Sequence, residues 1–482
     1  MYQLTQQLKS GKMEILEVPF PVLNKGTLLV RNYYSVISAG TEGKTVSDAR
    51  KGYVAKARTR KKEVMQVIDM IKTKGFLPTY KLVMNKLEAP SPLGYSCAGQ
   101  VIAVGEGVTG FKPGDLVACG GSGAYHAEVV CVPANLAVPV PKPIDLKQAA
   151  FATIAAIAIQ GIRRADLQMG ANCLIIGMGL IGQLTYLILK ASGMHPLGVD
   201  VSQSQLNLCR AAGIDNVYPR DQEGLEEIML AHSNGYGVDA VIITAGTSSL
   251  DPVEFAGQAA RHRAKVVVVG AVPTGFSRVH YYKKELDLRM STSYGPGRYD
   301  PEYEEKGRDY PIGYVRWTEN RNMQSFVDLL GAGSLDIAGL ITHTFDLDQA
   351  SEAYDMILSR KEPFSGIMIK YAEQTDLKRS ITIKEGSNPL QEVNVGFVGA
   401  GSFAQGTLLP NMKGLCHFAG LATARGNSSR YVADKYSFGY CTDSADDLFN
   451  DPAINTIFIV TRHHLHAQNV FKAIRSEERR VG

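Results

Sequence analysis

The residues of this 482-residue chain that most clearly predict chemistry are glycines at a fixed spacing. The segment Gly177-Met178-Gly179-Leu180-Ile181-Gly182 follows an apolar strand pattern over 173–176 and opens a helical pattern. In such a turn the first glycine allows a tight bend, the second lets the backbone approach a pyrophosphate, and the third lets helix and strand pack closely. The N–H groups at the helix start attract phosphate. The residues predicted to bind a dinucleotide here are Gly177, Gly179, Leu180, Ile181 and Gly182.

An acidic residue ends the next strand pattern. Asp200 lies 18 residues after Gly182, where a carboxylate accepts the ribose hydroxyls of the coenzyme. It would repel a 2′-phosphate, so NAD is the expected coenzyme, with NADP as the alternative. Gly270, at the end of a later strand pattern, is added to the predicted coenzyme site. The plainer interpretation is a structural glycine turn and a solvated aspartate.

A second turn of the same type begins 222 residues after the first, at Gly399. It reads Gly-Ala-Gly-Ser-Phe-Ala, and alanine is tolerated at the third position. Gly399 and Gly401 are therefore predicted to bind a second dinucleotide. No carboxylate ends the following strand pattern, and Arg425 stands there instead. Arg425 could contact the 2′-phosphate of NADP or be a solvated loop residue, and the sequence favours neither.

Length and composition limit the elements that can hold these turns. A chain of 482 residues predicts about three domains, and its 45% hydrophobic and 20% charged residues are typical of globular proteins. The net charge of +4 is too small to imply nucleic acid. No apolar run reaches the roughly 18 residues of a membrane span. The seven cysteines form no CxxC pair, so a cytoplasmic location without disulfides is expected.

Strand and helix patterns predict an α/β fold in several units. The predicted units are a β-barrel domain over 1–138 that is completed by 290–372, a doubly wound parallel sheet over 139–289, a linker over 373–392, and a partial second sheet domain over 393–482. A basic helical insertion over 44–90 interrupts the barrel, with twelve Lys and Arg against three acidic residues in 44–86. Such a charge run is usually a solvated face, although it could attract an anionic sugar or an acidic membrane surface.

Residues 1–372 resemble the medium-chain dehydrogenase/reductase family. Four segments carry the resemblance in the family's order: GTLLVRNYYSVISAGTE, GYSCAGQVIAVGEGVTGFKPGDLV, IIGMGLIGQ and LITHTFDLDQASEAYDMI. SVISAGTE and residues 293–322 are most similar to the branch of bacteriochlorophyllide hydroxyethyl dehydrogenases. Residues 393–474 resemble the start of the glucose–fructose oxidoreductase/inositol dehydrogenase (Gfo/Idh/MocA) family through VGFVGAGSFAQ. The resemblances imply a GroES-like catalytic domain, a Rossmann domain, a partial second Rossmann domain and a homo-oligomer.

Zinc-dependent members of the first family carry a cysteine and a His-Glu pair as ligands. In this chain Ala39 stands at the cysteine position, and Tyr95 and Ser96 stand at the His-Glu positions. Because catalytic zinc needs three protein ligands, the resemblance implies that no zinc is bound. The predicted catalytic residues are then Tyr95 or Thr41 as hydrogen-bond donor to the substrate oxygen, assisted by Lys44. Tyr95 could instead fill space, Thr41 cap a turn, and Lys44 be solvated.

Residues 294–321 are dense in arginine and aromatic side chains. Forked guanidinium groups and aromatic faces suit a planar or polyhydroxylated anionic ligand, but an interface or an ion-paired loop fits as well. The expected activity is a zinc-independent, NAD(P)-dependent interconversion of an alcohol and a carbonyl on a small, sugar-like molecule. Two alternatives remain: an enoyl or quinone reductase of the same fold, and a nucleotide-binding interaction protein without chemistry.

Overall fold

The computed structural model describes residues 1–50, 61–372, 378–384 and 393–478. Its strands are β1 (Tyr2–Gln7), β2 (Met13–Glu17), β3 (Thr27–Ile37), β4 (Pro90–Pro92), β5 (Ser96–Val104), β6 (Leu116–Gly120), β7 (Val129–Pro133), β8 (Ala137–Pro139), β9 (Asn172–Ile176), β10 (His195–Asp200), β11 (Val217–Pro219), β12 (Val238–Ile243), β13 (Ala260–Val268), β14 (Asp287–Met290), β15 (Ile341–Asp346), β16 (Gly366–Lys370), β17 (Ser380–Thr382), β18 (Asn394–Val398), β19 (His417–Ala422), β20 (Tyr440–Thr442) and β21 (Thr456–Ile459).

The α-helices follow the same chain order. They are α1 (Thr41–Arg50), α2 (Lys61–Lys74), α3 (Phe76–Glu88), α4 (Leu146–Ala149), α5 (Ala152–Ala165), α6 (Leu180–Ala191), α7 (Gln203–Ala211), α8 (Leu225–His232), α9 (Asp251–Ala259), α10 (Val279–Lys283), α11 (Pro301–Glu304), α12 (Glu319–Gly331), α13 (Ala350–Ser359), α14 (Leu409–Met412), α15 (Gly426–Tyr436), α16 (Ala445–Asn450) and α17 (His466–Glu478). Within the described ranges, none of these helices combines the length and the apolar character that crossing a bilayer requires.

The first domain is built from two mostly antiparallel sheets. The larger sheet has the order β15-β16-β3-β5-β6-β8, with β7 also paired to β3, and the smaller has the order β2-β1-β4. Strand β3 is central because alternate residues such as Leu28 and Val30 are fully buried between its neighbours. Strands β15 and β16 come from residues after 340, so the end of this region returns to the first domain.

The nucleotide-type domain is one parallel sheet with the order β11-β10-β9-β12-β13-β14. Its strands are continuous apolar runs, and β9 from Cys173 to Ile176 is buried on both faces. The chain passes from β9 to β10 on one side and later to β12 on the other, so the topological switch point lies at the carboxyl end of β9. The predicted α/β fold class is confirmed, and the glycine turn lies at this switch point.

The C-terminal unit is a smaller sheet with the order β17-β20-β19-β18-β21, in which only the edge strand β17 is antiparallel. Strand β17 lies inside the predicted linker, whose residues 373–377 and 385–392 lie outside the described ranges. At Ser380–Thr382 the chain is therefore an edge strand, because Ile381 is buried in the core of this sheet. One buried residue in three produces no sequence period, so the pattern gave no sign of the strand.

The insertion of the first domain is helical in its described part. Helix α1 ends at Arg50, and α2 and α3 form a hairpin around Gly75, whose φ of +83° ends α2. The sequence pattern predicts a stop at Gly75 and Pro78, and the structure instead begins α3 immediately, with Pro78 in its first turn, where a missing N–H costs nothing. The part of the insertion over 51–60 lies outside the described residues.

Candidate functional site

The first glycine turn has the shape that a dinucleotide requires. Gly177 has a φ of +99°, and a Cβ on Gly182 would lie 2.0 Å from the Gly177 carbonyl oxygen. Gly179 precedes α6, with nothing within 4 Å of its Cβ position, so the backbone there is open to a ligand. A Cβ on Gly270 would lie 2.0 Å from the carbonyl oxygen of Ala245. These residues therefore fit the close backbone approach of a pyrophosphate.

Asp200 holds the same turn through hydrogen bonds to the backbone. Its two carboxylate oxygens accept hydrogen bonds from the backbone N–H groups of Met178 at 2.6 Å and Ser202 at 2.8 Å. Each oxygen keeps a second lone pair, so the carboxylate can still accept a ribose hydroxyl. Leu180 and Ile181, the first residues of α6, pack partly buried against the domain core. The predicted coenzyme residues around this turn thus lie together at the switch point.

The second glycine turn repeats this geometry with a different partner. Gly399 has a φ of +95°, and Gly401 has nothing within 4 Å of its Cβ position. Arg425 is exposed at the start of α15, beyond the end of β19. The loop that holds it packs on the first domain, because Asn427 Nδ2 donates to the Pro90 carbonyl at 2.8 Å. A Cβ on Gly426 would lie 2.1 Å from the Pro19 carbonyl oxygen.

Two of the three predicted catalytic residues lie together in the first domain. The phenol of Tyr95 is within hydrogen-bonding reach of the Ser38 and Thr41 hydroxyls. Burial, the largest cause, raises the pKa of Tyr95 to about 12, and the charge of Glu42 adds to this effect, which the two hydroxyls partly offset. The phenol is therefore protonated at neutral pH and can donate a hydrogen bond.

The other predicted positions are less involved. Lys44 is exposed three residues after Thr41 on α1. This position agrees with the alternative in which Lys44 is a solvated charge and not a catalytic residue. Ala39 and Ser96 carry no metal-binding group of the zinc type. In the described ranges, no three His, Cys, Asp or Glu side chains are grouped as a metal site would need. Ala39, Tyr95 and Ser96 thus offer no Cys, His, Asp or Glu donor at these positions, and zinc independence stays a prediction.

A buried carboxylate that the sequence analysis missed connects the catalytic segments. Glu42 Oε1 accepts from the Ser38 N–H at 2.9 Å. Its Oε2 accepts from the Gly94 N–H at 3.0 Å, from the Tyr354 hydroxyl at 2.6 Å and from His126 Nε2 at 3.2 Å. Burial pushes the pKa of Glu42 upward, but His126 and these hydrogen bonds outweigh it and lower the pKa below its usual value. Glu42 is therefore ionised, and it holds the backbone of Ser38 and of Gly94, the residue before Tyr95.

The hydrogen bonds of Glu42 extend through His126. The His126 Nδ1 lies 2.7 Å from Ser35 Oγ, which in turn lies 2.7 Å from the Tyr371 hydroxyl. Because a carboxylate can only accept, His126 Nε2 carries the proton toward Glu42, and Ser35 then donates to Nδ1. Every donor in this chain of contacts has an acceptor, so burying the network leaves no donor without a hydrogen bond.

The arginine- and tyrosine-rich stretch comes near Tyr95 through Arg298, which acts on the pKa of Tyr95, and through Tyr294, on whose pKa Tyr95 acts. In the described part of the chain, the hydroxyl of Tyr294, Nε of Arg298 and both carboxyl oxygens of Glu319 are buried without a hydrogen-bond partner. Arg298 Nη1 pairs with Glu304 at 2.6 Å. Burial first, and the charge of Glu304 second, raise the pKa of Glu319 to about 9, so this carboxyl is neutral at neutral pH. Both the phenol and the neutral carboxyl can donate to an oxygen.

Much of the same stretch is held by its own contacts. Arg308 pairs with Glu302 at 2.7 Å, and Arg321 pairs with Asp309. The guanidinium groups of Arg163 and Arg316 lie 3.2 and 3.8 Å from the ring centroid of Trp317. These further side chains therefore match the ion-paired loop that the sequence also allowed, whereas Tyr294, Arg298 and Glu319 keep buried polar atoms that no described residue satisfies.

The residues that sequence reasoning missed carry weak local signals. Glu42 follows Thr41 directly, at a position whose acidic character could have been noted beside the catalytic candidate. Its partners His126 and Tyr354 lie 84 and 312 residues away, and nothing in their neighbourhood marks them. Glu319 is the first residue of α12, where an acidic residue is ordinarily a helix-stabilising choice.

We expect Glu42→Gln to lower the free energy of unfolding by about 2–4 kcal/mol near pH 7, because an amide group cannot accept all four hydrogen bonds. The pKa of Glu42 is lower in the folded than in the unfolded protein, so its contribution is lost as the pH falls below about 4.5. The free energy of unfolding measured with urea should therefore fall more for the parent chain than for the variant as the pH is lowered from about 5 to about 3. The exposed Glu106→Gln is the matched control, and an equal pH dependence in all three proteins would contradict the assignment.

Comparison with known proteins assigns family domains to three parts of the chain. Residues 67–142 match the alcohol dehydrogenase GroES-like domain, and residues 181–305 match the zinc-binding dehydrogenase family. Residues 393–479 match the oxidoreductase family with the NAD-binding Rossmann fold. Sorbitol dehydrogenase of Bacillus subtilis (strain 168) is 25% identical over 318 residues, which are 59% of this chain and 82% of that protein.

Solved structures give the same fold. Galactitol-1-phosphate dehydrogenase from Escherichia coli superposes with a TM-score of 0.58 at 17% identity, covering 77% of this chain and all of that one. An Escherichia coli alcohol dehydrogenase complexed with NADH superposes with a TM-score of 0.56 at 18% identity, covering 77% and 99%. The chain thus consists of alcohol dehydrogenase-like GroES and Rossmann domains followed by a Gfo/Idh/MocA-type Rossmann domain, and it is an NAD(P)-dependent oxidoreductase.

Proposed function

We propose that this chain interconverts an alcohol and a carbonyl by hydride transfer without zinc. The observation that carries the proposal is the replacement of the family's ligand set by Ala39, Tyr95 and Ser96, with the Tyr95 phenol protonated among the Ser38 and Thr41 hydroxyls. A carbonyl oxygen that no metal polarises needs a hydrogen-bond donor in a dry pocket. The partly buried phenol of Tyr95 supplies that donor.

The proposed chemistry divides between coenzyme and protein. A bound nicotinamide coenzyme supplies or accepts the hydride. In the direction of reduction, Tyr95 donates its proton to the substrate oxygen, and the exposed Thr41 hydroxyl relays a proton from solvent water to the phenolate, taking one up as it passes one on. In the direction of oxidation the same atoms take the proton away. Glu42 acts as a positioning residue, because it holds the Ser38 and Gly94 backbone and does not face the substrate.

We propose a polyhydroxylated substrate for this site. The unused hydroxyl of Tyr294, Nε of Arg298 and neutral carboxyl of Glu319 offer several hydrogen bonds to hydroxyl groups. The main cation of this group, Arg298, is already paired with Glu304. These donors favour a sugar or sugar alcohol, and the relatives named for sorbitol and galactitol 1-phosphate agree with that class.

Zinc independence predicts that activity does not depend on metal. After treatment with a strong chelator and its removal, the chain should reduce or oxidise members of a panel of sugars, sugar alcohols and simple ketones at an unchanged rate, followed by NADH absorbance. Elemental analysis should find no stoichiometric zinc. Loss of activity that added zinc restores would contradict the proposal, and coenzyme binding without any turnover would favour the interaction-protein alternative.

The role of Tyr95 predicts a specific loss. Tyr95→Phe should lower kcat about 100-fold or more, because it removes the proton donor, while NADH affinity stays within about twofold. Tyr33→Phe is the matched control, since the Tyr33 hydroxyl contacts Gln100 at 3.4 Å outside the pocket. A Tyr95→Phe enzyme with the parent kcat would exclude Tyr95 as the donor.

We also propose that the first turn prefers NAD because of Asp200. Asp200→Asn removes the charge but keeps one oxygen for the Met178 N–H. The ratio of NADPH to NADH affinity should then rise about tenfold, because repulsion of the 2′-phosphate is lost. Titration of nicotinamide fluorescence measures both affinities, with the exposed Asp221→Asn as control. An unchanged ratio would show that Asp200 does not select the coenzyme.

A further inference from the structure

The α2–α3 hairpin exposes an apolar surface that no described part of the chain covers. We call it the hairpin patch; its members are Val64, Met65, Ile68, Phe76, Leu77 and Tyr80. Phe76, Leu77 and Met65 are each at least 60% exposed. Single exposed apolar residues are common on proteins, but a group of six within 17 residues is not. A surface helix ordinarily turns such residues toward a core.

The hairpin patch is organised by helical spacing. On α2 its members stand at positions i, i+1 and i+4 from Val64, and on α3 they stand at the same spacing from Phe76. Residues four apart share one helix face, and the rings of Phe76 and Tyr80 stack with centroids 6.2 Å apart. Gly75 joins the two helices, so Phe76 and Leu77 lie at the tip of the hairpin. Two of the most exposed apolar side chains, Phe76 and Leu77, therefore lie at the outer end of the hairpin.

The insertion also concentrates positive charge. Residues 44–86 contain twelve Lys and Arg against three acidic residues, a net charge of +9, whereas the whole chain carries +4. The remainder of the chain is therefore negative by five charges. Lys72 and Lys86 are exposed on the described part of the hairpin. An apolar tip flanked by lysines is the composition of segments that lie on anionic bilayers, where the apolar side chains enter the interface and the cations meet the headgroups.

We propose that the hairpin patch docks this protein on the surface of an anionic lipid bilayer. Charge disfavours the simplest competing occupant, a second copy of the chain, because residues 61–88 of the hairpin contain six Lys against three acidic residues, and a hairpin-to-hairpin contact would bring two such positive segments together. Residues 51–60, which precede the hairpin, supply four of the twelve Lys and Arg of 44–86 and no acidic residue, so the net charge of the insertion stays positive although Lys72 pairs with Asp69. In an anionic bilayer the apolar side chains of the hairpin patch can enter the interface while the cations meet the headgroups.

Vesicle sedimentation with the full chain tests the docking surface. The protein should sediment with vesicles of phosphatidylcholine and phosphatidylglycerol, remain in solution with phosphatidylcholine alone, and dissociate as salt is raised. The double variant Phe76→Ser/Leu77→Ser should lower partitioning at least about tenfold, because two apolar side chains no longer enter the interface. Tyr236→Ser, which removes an aromatic side chain that is 79% exposed elsewhere, is the matched control and should sediment like the parent.

Circular dichroism and coenzyme binding should be the same for all these proteins, because every altered side chain is exposed. If the double variant does not fold, Lys72→Glu/Lys86→Glu tests the same surface and should also lose binding. Three results would overturn the proposal: no sedimentation of the parent, equal sedimentation with both kinds of vesicle, or undiminished binding of the variants. A parent dimer that the double variant dissociates without lipid would also overturn it, since a second copy would then cover the hairpin patch.

Discussion

A carboxylate removed from water must receive hydrogen bonds in exchange, and in this protein that requirement falls on Glu42. Its four donors come from the end of β3, from the backbone before Tyr95, from His126 and from Tyr354 on α13. Segments that are far apart in the chain must therefore close around one charge. The loop positions that carry Thr41 and Tyr95 follow from this closure.

The first domain and the arginine- and tyrosine-rich stretch each contain a buried carboxyl group, and the two groups are in opposite states. Glu42 is ionised because its partners outweigh the effect of burial, whereas Glu319 has no partner among the described residues and its pKa rises to about 9. The negative charge of Glu42 favours the protonated phenol, and Arg298 opposes that effect weakly. A neutral phenol at Tyr95 and a neutral carboxyl at Glu319 can each donate a hydrogen bond to an oxygen atom.

Local features made the coenzyme turns predictable. The glycine spacing at 177–182 and the acidic end of β10 depend on backbone geometry within about 25 residues, and the structure places these residues at one switch point. The hydrogen bonds of Glu42 depend on partners as much as 312 residues away, so no window of sequence contains them. Strand β17 was missed for a related reason, because its single buried residue, Ile381, becomes meaningful only beside β20.

The hydrogen bonds of Glu42 also explain how Thr41 and Tyr95 keep their geometry beside a large insertion. The chain leaves the site at Thr41, passes through the helical insertion, and returns to it at Gly94, where the N–H donates to Glu42 at 3.0 Å across 52 residues. A loop closed by a buried bond transmits little of its own motion to the residues beyond the bond, because displacing Glu42 would break four hydrogen bonds at once. The α2–α3 hairpin can therefore contact an outside surface while Thr41 and Tyr95 keep their relative positions.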